Sequence, residues 1–388
     1  MNSRHSLPIV ILRTAFITPL FILGCLSISL TQFLTLLIFK NNPDVKQAII
    51  NNTKNHFVIL ISYITTIVNP CKIEITIDET TVPNSDHFTV DESNNIHTMF
   101  QPNSVLISNH QIYTDWLYLW FLTYTSKFGN SVFIILKDLS KIPVLGYGMK
   151  NYNFLFLSRK WEKDKIVLTN QLLEIDANAR GMGPANGIWP YELILFAEGT
   201  VPSDRTTKKS AEFIASRGLP PLKHVLLPRI RGLFLALKKL KSSVEIVYDI
   251  TTAYSGLTED QYGEIEYSLK RFYLKGYGPP KINYYIKGWK LKDIPLGEDV
   301  DDIDNILEQD LKKFEDWLLK IWYEKDKLMD NHYKLGNWGE LNHKTTRSII
   351  GDFKLRNQFE IFLPFLATIA TILFLRIAYI LIRRIINV

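Results

Sequence analysis

The sequence predicts an α/β fold: a mostly buried sheet flanked by helices, with a membrane segment at each end of the chain. Between residues 100 and 325, short runs of apolar, branched and aromatic residues alternate with helix-length patterns, as expected where helices cover both faces of a sheet. Long apolar segments at residues 7–39 and 359–382 flank this region. With 388 residues, of which 46% are hydrophobic and 22% charged, the chain can bury one large core or two ordinary ones.

Charge and cysteine content narrow the class of protein. A formal net charge of +6 suits either nucleic acid or an anionic membrane surface. Because the basic residues are spread along the chain instead of forming one block, we favour a membrane partner and expect no nucleic acid. The two cysteines, Cys25 and Cys71, lack metal-type spacing, so the sequence predicts neither a disulfide framework nor a metal site.

The first apolar segment, residues 7–39, predicts a membrane anchor. It is longer than the ~20 residues of one membrane span and shorter than two spans, and it far exceeds the ~7–15 apolar residues of a cleavable signal peptide. Pro19 and Gly24 could interrupt a helix here, so a shallow hairpin and a single tilted helix both fit the pattern. The next apolar run, residues 57–68, is too short to span and fits a buried or an interfacial helix.

The central region supplies the strands and helices of the predicted sheet domain. Periodicity predicts helices at residues 161–179 and 231–240, and an amphipathic helix over residues 300–322. The polar stretch at residues 78–103 is predicted to be an irregular connection. The predicted strands are residues 104–108, 132–136, 154–158, 193–197, 224–228, 244–250 and 282–288.

The second long apolar segment, residues 359–382, is a candidate membrane span closed by Arg383 and Arg384. Basic residues also precede it, and the positive-inside rule favours a cytosolic location for the central region. The predicted organisation of the chain is an N-terminal anchor region at residues 1–70, an α/β domain at 71–325, a linker at 326–358 and a membrane segment with a tail at 359–388.

Three polar residues, Asn109, His110 and Asp115, follow the predicted strand at residues 104–108. Ligands collect at the carboxyl ends of strands in α/β sheets, so this position favours a functional role. The turn from His110 to Asp115 can fold the carboxylate onto one imidazole nitrogen, which leaves the other free to take a proton from a hydroxyl or thiol. This is the base and orienting acid of a triad without an enzyme nucleophile. The alternative is a helix-capping Asp115 beside a structurally satisfied histidine.

Two further polar groups follow predicted strands. In FAEGT, residues 196–200, Glu198 and Gly199 end an apolar run, and a glycine there lets backbone amides approach a ligand closely. Arg159 ends another apolar run, where a guanidinium can hold a phosphate through two hydrogen bonds. The alternatives are a β-turn with a solvated charge run and a surface arginine. The basic residues after FAEGT, which also suit a phosphate, are Arg205, Lys208 and Lys209.

Together these segments resemble the glycerolipid acyltransferase family, which contains 1-acylglycerol-3-phosphate and other lysophospholipid acyltransferases. The family shows four blocks in order, and this chain looks similar in each: NHQIYTD, NFLFLSR, FAEGT and HVLLPR. The resemblance covers roughly residues 100–300 and is nearest to the eukaryotic branch with lysocardiolipin and fungal lysophosphatidylinositol acyltransferases. Ala197 departs from the family pattern, because proline is usual at this place, and the change could loosen the turn.

The resemblance implies an acyl-CoA-dependent lysophospholipid acyltransferase. His110, oriented by Asp115, would deprotonate the free glycerol hydroxyl, which then attacks the thioester of acyl-CoA without a covalent enzyme intermediate. No cofactor is expected, because acyl-CoA is a co-substrate. The resemblance also implies substrate-binding roles for Asn109, Arg159, Glu198, Gly199, Thr200 and Pro228.

The expected partners are acyl-CoA, a lysophospholipid and the lipid bilayer, in the endoplasmic reticulum membrane or on lipid droplets. The resemblance favours lysophosphatidylinositol as the acceptor over 1-acylglycerol-3-phosphate, whose acylation makes phosphatidic acid. Two other classes stay open. A lipid hydrolase would normally use a nucleophilic serine, and no G-x-S-x-G sequence occurs. An inactive membrane protein is disfavoured because His110, Asp115 and the Glu-Gly pair are all present.

Overall fold

A mixed eight-stranded sheet forms the centre of the molecule. The computed structural model describes residues 5–137, 141–158, 160–298, 305–339 and 345–386. In chain order the strands are β1 (Lys72–Asp78), β2 (Thr89–Val90), β3 (Ile96–His97), β4 (Ser104–Ser108), β5 (Val132–Lys137), β6 (Leu155–Leu157), β7 (Glu192–Phe196), β8 (Ile246–Tyr254), β9 (Lys281–Lys290) and β10 (Thr346–Asp352). The short strands β2 and β3 pair with each other, outside the main sheet.

Helices cover both faces of this sheet. In chain order they are α1 (Leu7–Ile38), α2 (Pro43–Val68), α3 (Asp115–Thr125), α4 (Leu145–Asn151), α5 (Trp161–Ala179), α6 (Asp204–Ser216), α7 (Ile230–Leu240), α8 (Gly263–Glu266), α9 (Leu269–Tyr273), α10 (Glu308–Leu335) and α11 (Leu366–Ile386). α2 and α3 pack with one apolar layer of the sheet, and α5, α7 and α10 pack with the other. The predicted α/β class is confirmed.

Five neighbouring strands, in the order β8-β4-β7-β5-β6, run parallel. Ser108 at the end of β4 pairs with Phe196 of β7 and with Ile250 of β8, so these strands are in close register. β9 runs antiparallel to β8, and β1 and β10 extend the sheet beyond it. The polar residues that follow β4 and β7 therefore meet at one edge of the sheet.

Most predicted elements of the central region are present. β4 occupies residues 104–108 and α5 covers residues 161–179, as predicted. The amphipathic helix predicted at residues 300–322 corresponds to α10, which begins at Glu308 and continues to Leu335. Five other predicted strands are present with shifted ends, as β5, β6, β7, β8 and β9.

The strand predicted at residues 224–228 is wrong, because this segment is an irregular loop. Val225 and Leu226 are buried, which accounts for the apolar pattern. The backbone N–H groups of residues 223–225 donate to the carboxylate of Asp326 on α10 instead of to a neighbouring strand. Pro228 has no N–H group to offer a sheet. A side chain of α10 thus satisfies backbone groups that a strand would otherwise satisfy.

Residues 326–358, predicted to be a linker, instead contain regular structure. α10 continues through residue 326 to Leu335, and β10 pairs with β1 along its whole length. Neither β1 nor β10 is among the predicted strands, although Ile73, Ile75 and Ile77 alternate with polar residues and are fully buried. The chain beyond residue 325 therefore completes the same sheet.

The N-terminal region forms two helices that pack against each other. α1 is a single helix that continues through Pro19, which decides against the hairpin alternative. A Cβ added at Gly24 would lie 2.5 Å from Leu60 Cδ2, so the bare backbone at residue 24 lets α1 and α2 approach closely. Val58, Ile59 and Leu60 are fully buried. Of the two alternatives for residues 57–68, the structure therefore shows the buried helix.

Two helical segments are long and apolar enough, by length and composition, to cross a membrane: Leu7–Ile38 and Gln358–Ile382. The second consists of a 3-10 segment, Gln358–Phe365, followed by most of α11. No residue between 366 and 382 is buried. A continuous apolar surface of this length is typical of a helix surrounded by lipid.

Candidate active site

His110 and Asp115 form the centre of the candidate site, at the carboxyl end of β4. His110 Nδ1 lies 2.8 Å from Asp115 Oδ2, which is the contact that their spacing in the sequence predicts. The His110 side chain is 17% exposed, whereas that of Asp115 is 1% exposed. His110 Nε2 has no hydrogen-bond partner among the described residues, so this nitrogen is available to a substrate.

Three further groups hold Asp115 in place. The backbone N–H groups of Gln111 and Ile112 donate to Oδ2 at 2.6 and 3.1 Å, and the Tyr254 hydroxyl at the end of β8 donates to Oδ1. Burial raises the pKa of Tyr254 well above its ordinary value, and the Asp115 charge adds to the shift, so the hydroxyl keeps its proton. The Asp115 carboxylate therefore stabilises the loop before α3. It also holds His110 in the tautomer that carries a proton on Nδ1.

An aromatic contact fixes the plane of the His110 ring. The imidazole stacks on Phe196, with ring centroids 4.4 Å apart and an angle of 23° between the planes. Phe196 is the last residue of β7 and the first of FAEGT. This second motif therefore contributes directly to the placement of the His110 ring, a role that the sequence did not predict for Phe196.

Asn109 ties the chain next to His110 to the neighbouring strand β8. Its Oδ1 accepts the Thr252 N–H at 2.8 Å, and its Nδ2 donates to the Thr252 carbonyl at 2.9 Å. The residue is fully buried. Because both ends of the amide are used between β4 and β8, the geometry differs from the predicted substrate contact and gives Asn109 a positioning role.

Glu198 also contacts the backbone of His110 and is only 2% exposed. Trp322 Nε1 on α10 donates to Glu198 Oε1 at 3.3 Å. Burial raises the pKa of this carboxyl well above its ordinary value, and hydrogen bonds from Trp322 and from the backbone of His110 and Leu226 lower it in part. These protein contacts position the loop. A contact of Glu198 with substrate stays a prediction.

The turn after β7 forms with alanine at residue 197. Gly199 N–H donates to Phe196 O at 3.0 Å, and Arg229 N–H donates to Ala197 O at 2.7 Å. Gly199 has a φ of +69°, a backbone conformation that L side chains rarely adopt. Gly199 is exposed and Thr200 half-exposed, so both can meet a ligand, whereas the predicted binding residue Pro228 is buried.

Arg229 is a candidate phosphate-binding residue that the sequence analysis missed. A Cβ placed on Gly199 would lie 3.3 Å from Arg229 Nε and 3.4 Å from its Cζ, so the guanidinium lies over the exposed turn. Within the described parts of the chain, this side chain has no carboxylate partner. A free guanidinium at this edge suits a phosphate. The sequence feature that could have identified Arg229 is its position directly after Pro228, at the end of an apolar segment.

The other residues predicted to bind phosphate are Arg159 and three basic residues after FAEGT. Arg159 lies outside the described residues, and its role stays a prediction. The strand before it, β6, is separated from β4 by β5 and β7. The basic residues after FAEGT are on α6, where their side chains are exposed: Arg205, Lys208 and Lys209.

Comparison with known proteins gives consistent results. A family model described as acyltransferase matches residues 87–248. The chain is 41% identical to a 2-acyl-1-lysophosphatidylinositol acyltransferase of Saccharomyces cerevisiae, over 88% of this chain and 89% of that protein. An uncharacterized acyltransferase of Saccharomyces cerevisiae is 36% identical over 87% of this chain and 85% of its own. A probable 1-acyl-sn-glycerol-3-phosphate acyltransferase of Arabidopsis thaliana is 29% identical over 60% of this chain and 54% of its own.

Proposed function

Because the chain belongs to the acyltransferase family, we propose that it transfers the acyl group of acyl-CoA to the free glycerol hydroxyl of lysophosphatidylinositol. The acceptor is supported by the yeast relative that is 41% identical and named for it, since the plant relative named for 1-acyl-sn-glycerol-3-phosphate is more distant. One observation carries the chemistry: His110 is held by Asp115 through Nδ1, and its Nε2 has no hydrogen-bond partner among the residues that the structure describes.

The proposed reaction needs one base and no covalent enzyme intermediate. His110 Nε2 takes the proton of the acceptor hydroxyl while Asp115 stabilises the resulting imidazolium. The hydroxyl oxygen attacks the thioester carbon, and a tetrahedral intermediate forms. Its collapse breaks the carbon–sulfur bond, and the thiolate of coenzyme A leaves with the proton from His110. The products are a diacyl phospholipid and free coenzyme A.

Acyl transfer by purified protein tests this proposal. Full-length protein in detergent micelles is given labelled acyl-CoA and a panel of lysophospholipids, and the lipid products are separated. We expect labelled phosphatidylinositol in wild type, and a loss of rate of ~10²–10⁴-fold in His110→Ala, the usual cost of removing a general base. Labelled phosphatidic acid as the main product would favour the alternative acceptor, and free fatty acid would indicate a hydrolase.

A second histidine provides the matched control. His87 is exposed and lies in a 3-10 turn, Ser85–His87, outside the loops that follow β4 and β7, so His87→Ala should keep the wild-type rate. Thermal unfolding in the same micelles shows whether each variant is folded. Wild-type activity in folded His110→Ala would contradict the proposed base, whatever the acceptor.

The reactants also suggest where the enzyme works. Acyl chains partition into bilayers, and α1 and α11 are apolar enough to enter one. Within the proposal, the enzyme resides in the endoplasmic reticulum membrane with its sheet domain on the cytosolic side, where Arg347, Lys354 and Arg356 precede α11. Protease added to sealed microsomes should then digest the sheet domain, and full protection would contradict this orientation.

A further inference from the structure

A polar cavity of about 110 Å³ lies beside the loop that carries His110. A water molecule occupies about 30 Å³ in the liquid, so the polar cavity has room for about three or four water-sized groups. The polar lining residues that matter here are Gln111, Thr207, Lys223, Glu259, Asp260 and Gln261.

Gln111 joins the polar cavity to the catalytic pair. This residue follows His110 directly, and its backbone N–H donates to Asp115 Oδ2 at 2.6 Å. Its side-chain Nε2 donates to the His224 carbonyl at 3.3 Å, which ties the loop to the cavity wall. On another wall, a Cβ added at Gly263 would lie 2.7 Å from the Gln111 carbonyl oxygen. A ligand in the polar cavity therefore contacts the residue next to the base.

The charges around the polar cavity are partly compensated by Lys223. Its ammonium lies 2.6 Å from Glu259 and 3.3 Å from Asp330. Together with His224, these carboxylates offer ligand atoms within 4.8 Å of one another, as a metal site would, but Lys223 already supplies a cation to both. Asp260 leaves the polar cavity with an excess of carboxylate over ammonium groups. This excess disfavours a terminal phosphate, which carries negative charge.

Neutral hydrogen-bonding groups complete the lining. Among the described residues, neither Gln111 Oε1 nor the Thr207 hydroxyl has a hydrogen-bond partner. Gln261 Oε1 accepts the Thr258 N–H at 3.1 Å, which leaves its NH₂ group for a ligand. Each hydroxyl of a polyol donates one hydrogen bond and accepts others, so it can use carboxylate and amide groups together. The mixture of acceptors and donors therefore matches a ring with several hydroxyl groups.

We propose that the polar cavity binds the neutral, hydroxyl-rich headgroup of the acceptor lysophospholipid. This inference rests on the proposed function and adds the residues that select the headgroup. The headgroup ring occupies the polar cavity while the glycerol hydroxyl approaches His110 Nε2. A lysophospholipid that ends in phosphate has no group to place there.

Filling the polar cavity tests this assignment. Thr207 is half-exposed on α6 and lines the polar cavity, so Thr207→Trp places a large side chain in it. Glu212 is exposed on the same helix and does not line it, so Glu212→Trp is the matched control. For each full-length variant, kcat/KM is measured with lysophosphatidylinositol and with lysophosphatidic acid of the same acyl chain. We expect the ratio of the two constants to fall about tenfold or more in Thr207→Trp and to stay within about twofold in Glu212→Trp.

A second variant tests the chemistry without changing the size of the side chains. Glu259→Gln combined with Asp260→Asn removes two negative charges from the lining. We expect kcat/KM to fall for lysophosphatidylinositol and to rise for lysophosphatidic acid, because hydrogen-bond acceptors and repulsion of phosphate are lost together. Opposite changes for the two acceptors cannot result from a general loss of folding.

Three outcomes would overturn the assignment. An unchanged ratio in both variants would show that the polar cavity does not select the headgroup, while wild-type activity on lysophosphatidylinositol would leave the proposed function standing. A wild-type preference for lysophosphatidylethanolamine that the double variant abolishes would assign the cavity to a cationic headgroup. Loss of the wild-type preference on treatment with EDTA, with recovery on adding Mn²⁺, would assign it to a metal ion. Absence of any wild-type activity on lysophosphatidylinositol would instead contradict the proposed function itself.

Discussion

Asp115 is saturated with hydrogen bonds before any substrate arrives. It accepts from His110, from the backbone of Gln111 and Ile112, and from Tyr254. When His110 takes a proton, the new positive charge therefore lies 2.8 Å from a buried, fixed negative charge. Attraction between such charges is stronger in a buried site than in water, and fixed groups need no reorganisation during the reaction.

The contact between His110 and Asp115 could be predicted from the sequence because the two residues are five positions apart on one turn. The groups that orient them could not, since Tyr254 lies 139 residues from Asp115 and Trp322 lies 124 residues from Glu198. Such contacts depend on how β8 and α10 pack, which no local pattern encodes. The burial of Asn109 and Glu198 has the same origin, because a sequence motif does not show which side of a loop faces the protein.

Arg229 is expected to bind the acceptor phosphate. In Arg229→Lys, KM for the lysophospholipid should rise about tenfold while KM for acyl-CoA changes little, because an ammonium cannot reproduce two parallel hydrogen bonds. Steady-state kinetics with each substrate varied in turn measures both constants. Arg159→Lys tests the residue predicted from the sequence in the same way. Arg231→Lys is the control, since that guanidinium lies over Trp161, 5.7 Å from the ring centroid.

The alternatives for Arg229 give different kinetics. A change confined to KM for acyl-CoA would place it on the phosphates of the donor, which offer the same chemistry. No change in either constant would contradict a role of Arg229 in substrate binding. The remaining predicted phosphate-binding residues would then be Arg159, Arg205, Lys208 and Lys209.

At the level of the element, α10 connects the turn after β7 and the loop at residues 223–225 to the sheet. Its apolar positions were predictable from helical spacing, but its buried polar residues were not. Trp322 donates to Glu198, and Asp326 accepts the backbone amides of residues 223–225. Lys325 is 1% exposed and donates to the Ile250 carbonyl at 2.8 Å. The helix therefore holds both the turn after β7 and one wall of the polar cavity.

The ion pair between Lys325 and Asp249 should make α10 sensitive to single substitutions. Both side chains are almost fully buried, so Lys325→Met leaves an unpaired buried carboxylate, which costs about 3–5 kcal/mol in comparable cases. Replacing both partners, as in Lys325→Met with Asp249→Leu, should recover most of that loss. Denaturant unfolding in detergent micelles gives the free energy of unfolding for each variant. If the double variant were as unstable as the single one, the unpaired charge would not be the cause.

At the level of the whole molecule, the sequence predicted the class of the fold correctly, but it did not predict where the sheet domain ends along the chain. The parallel strands of the centre follow from alternation of short apolar runs with helices, which is a local signal. β1 and β10 pair although the paired residues are between 268 (Asp78 and Thr346) and 280 (Lys72 and Asp352) positions apart in the sequence. Local patterns cannot report such a pairing. Residues 326–358 were predicted to be a linker because the pairing of β10 with β1 could not be recognised from local patterns.

The two apolar ends of the chain are expected to respond differently to deletion. α1 places Ile17, Cys25 and Ile28 in the core, and burying one such aliphatic side chain contributes about 1.5–3 kcal/mol. Removing residues 1–39 also uncovers α2 around Leu60, so we expect lower thermal stability and loss of acyl transfer. α11 has no buried residue between 366 and 382. A chain that ends at Phe365 should therefore stay folded, active and membrane-bound through α1.

Thermal unfolding, membrane pelleting and acyl transfer measured on both truncated proteins test this difference. A chain that ends at Phe365 lacks Thr368, whose backbone N–H donates to Ser27 Oγ at 3.2 Å. The truncation therefore removes this hydrogen bond between α11 and α1. One such bond contributes only about 0.5–1.5 kcal/mol, so the fold should survive. A soluble and fully active protein without residues 1–39 would contradict both the anchor and its packing role. Unfolding of the chain that ends at Phe365 would show that α11 stabilises α1 in a way its exposure does not indicate.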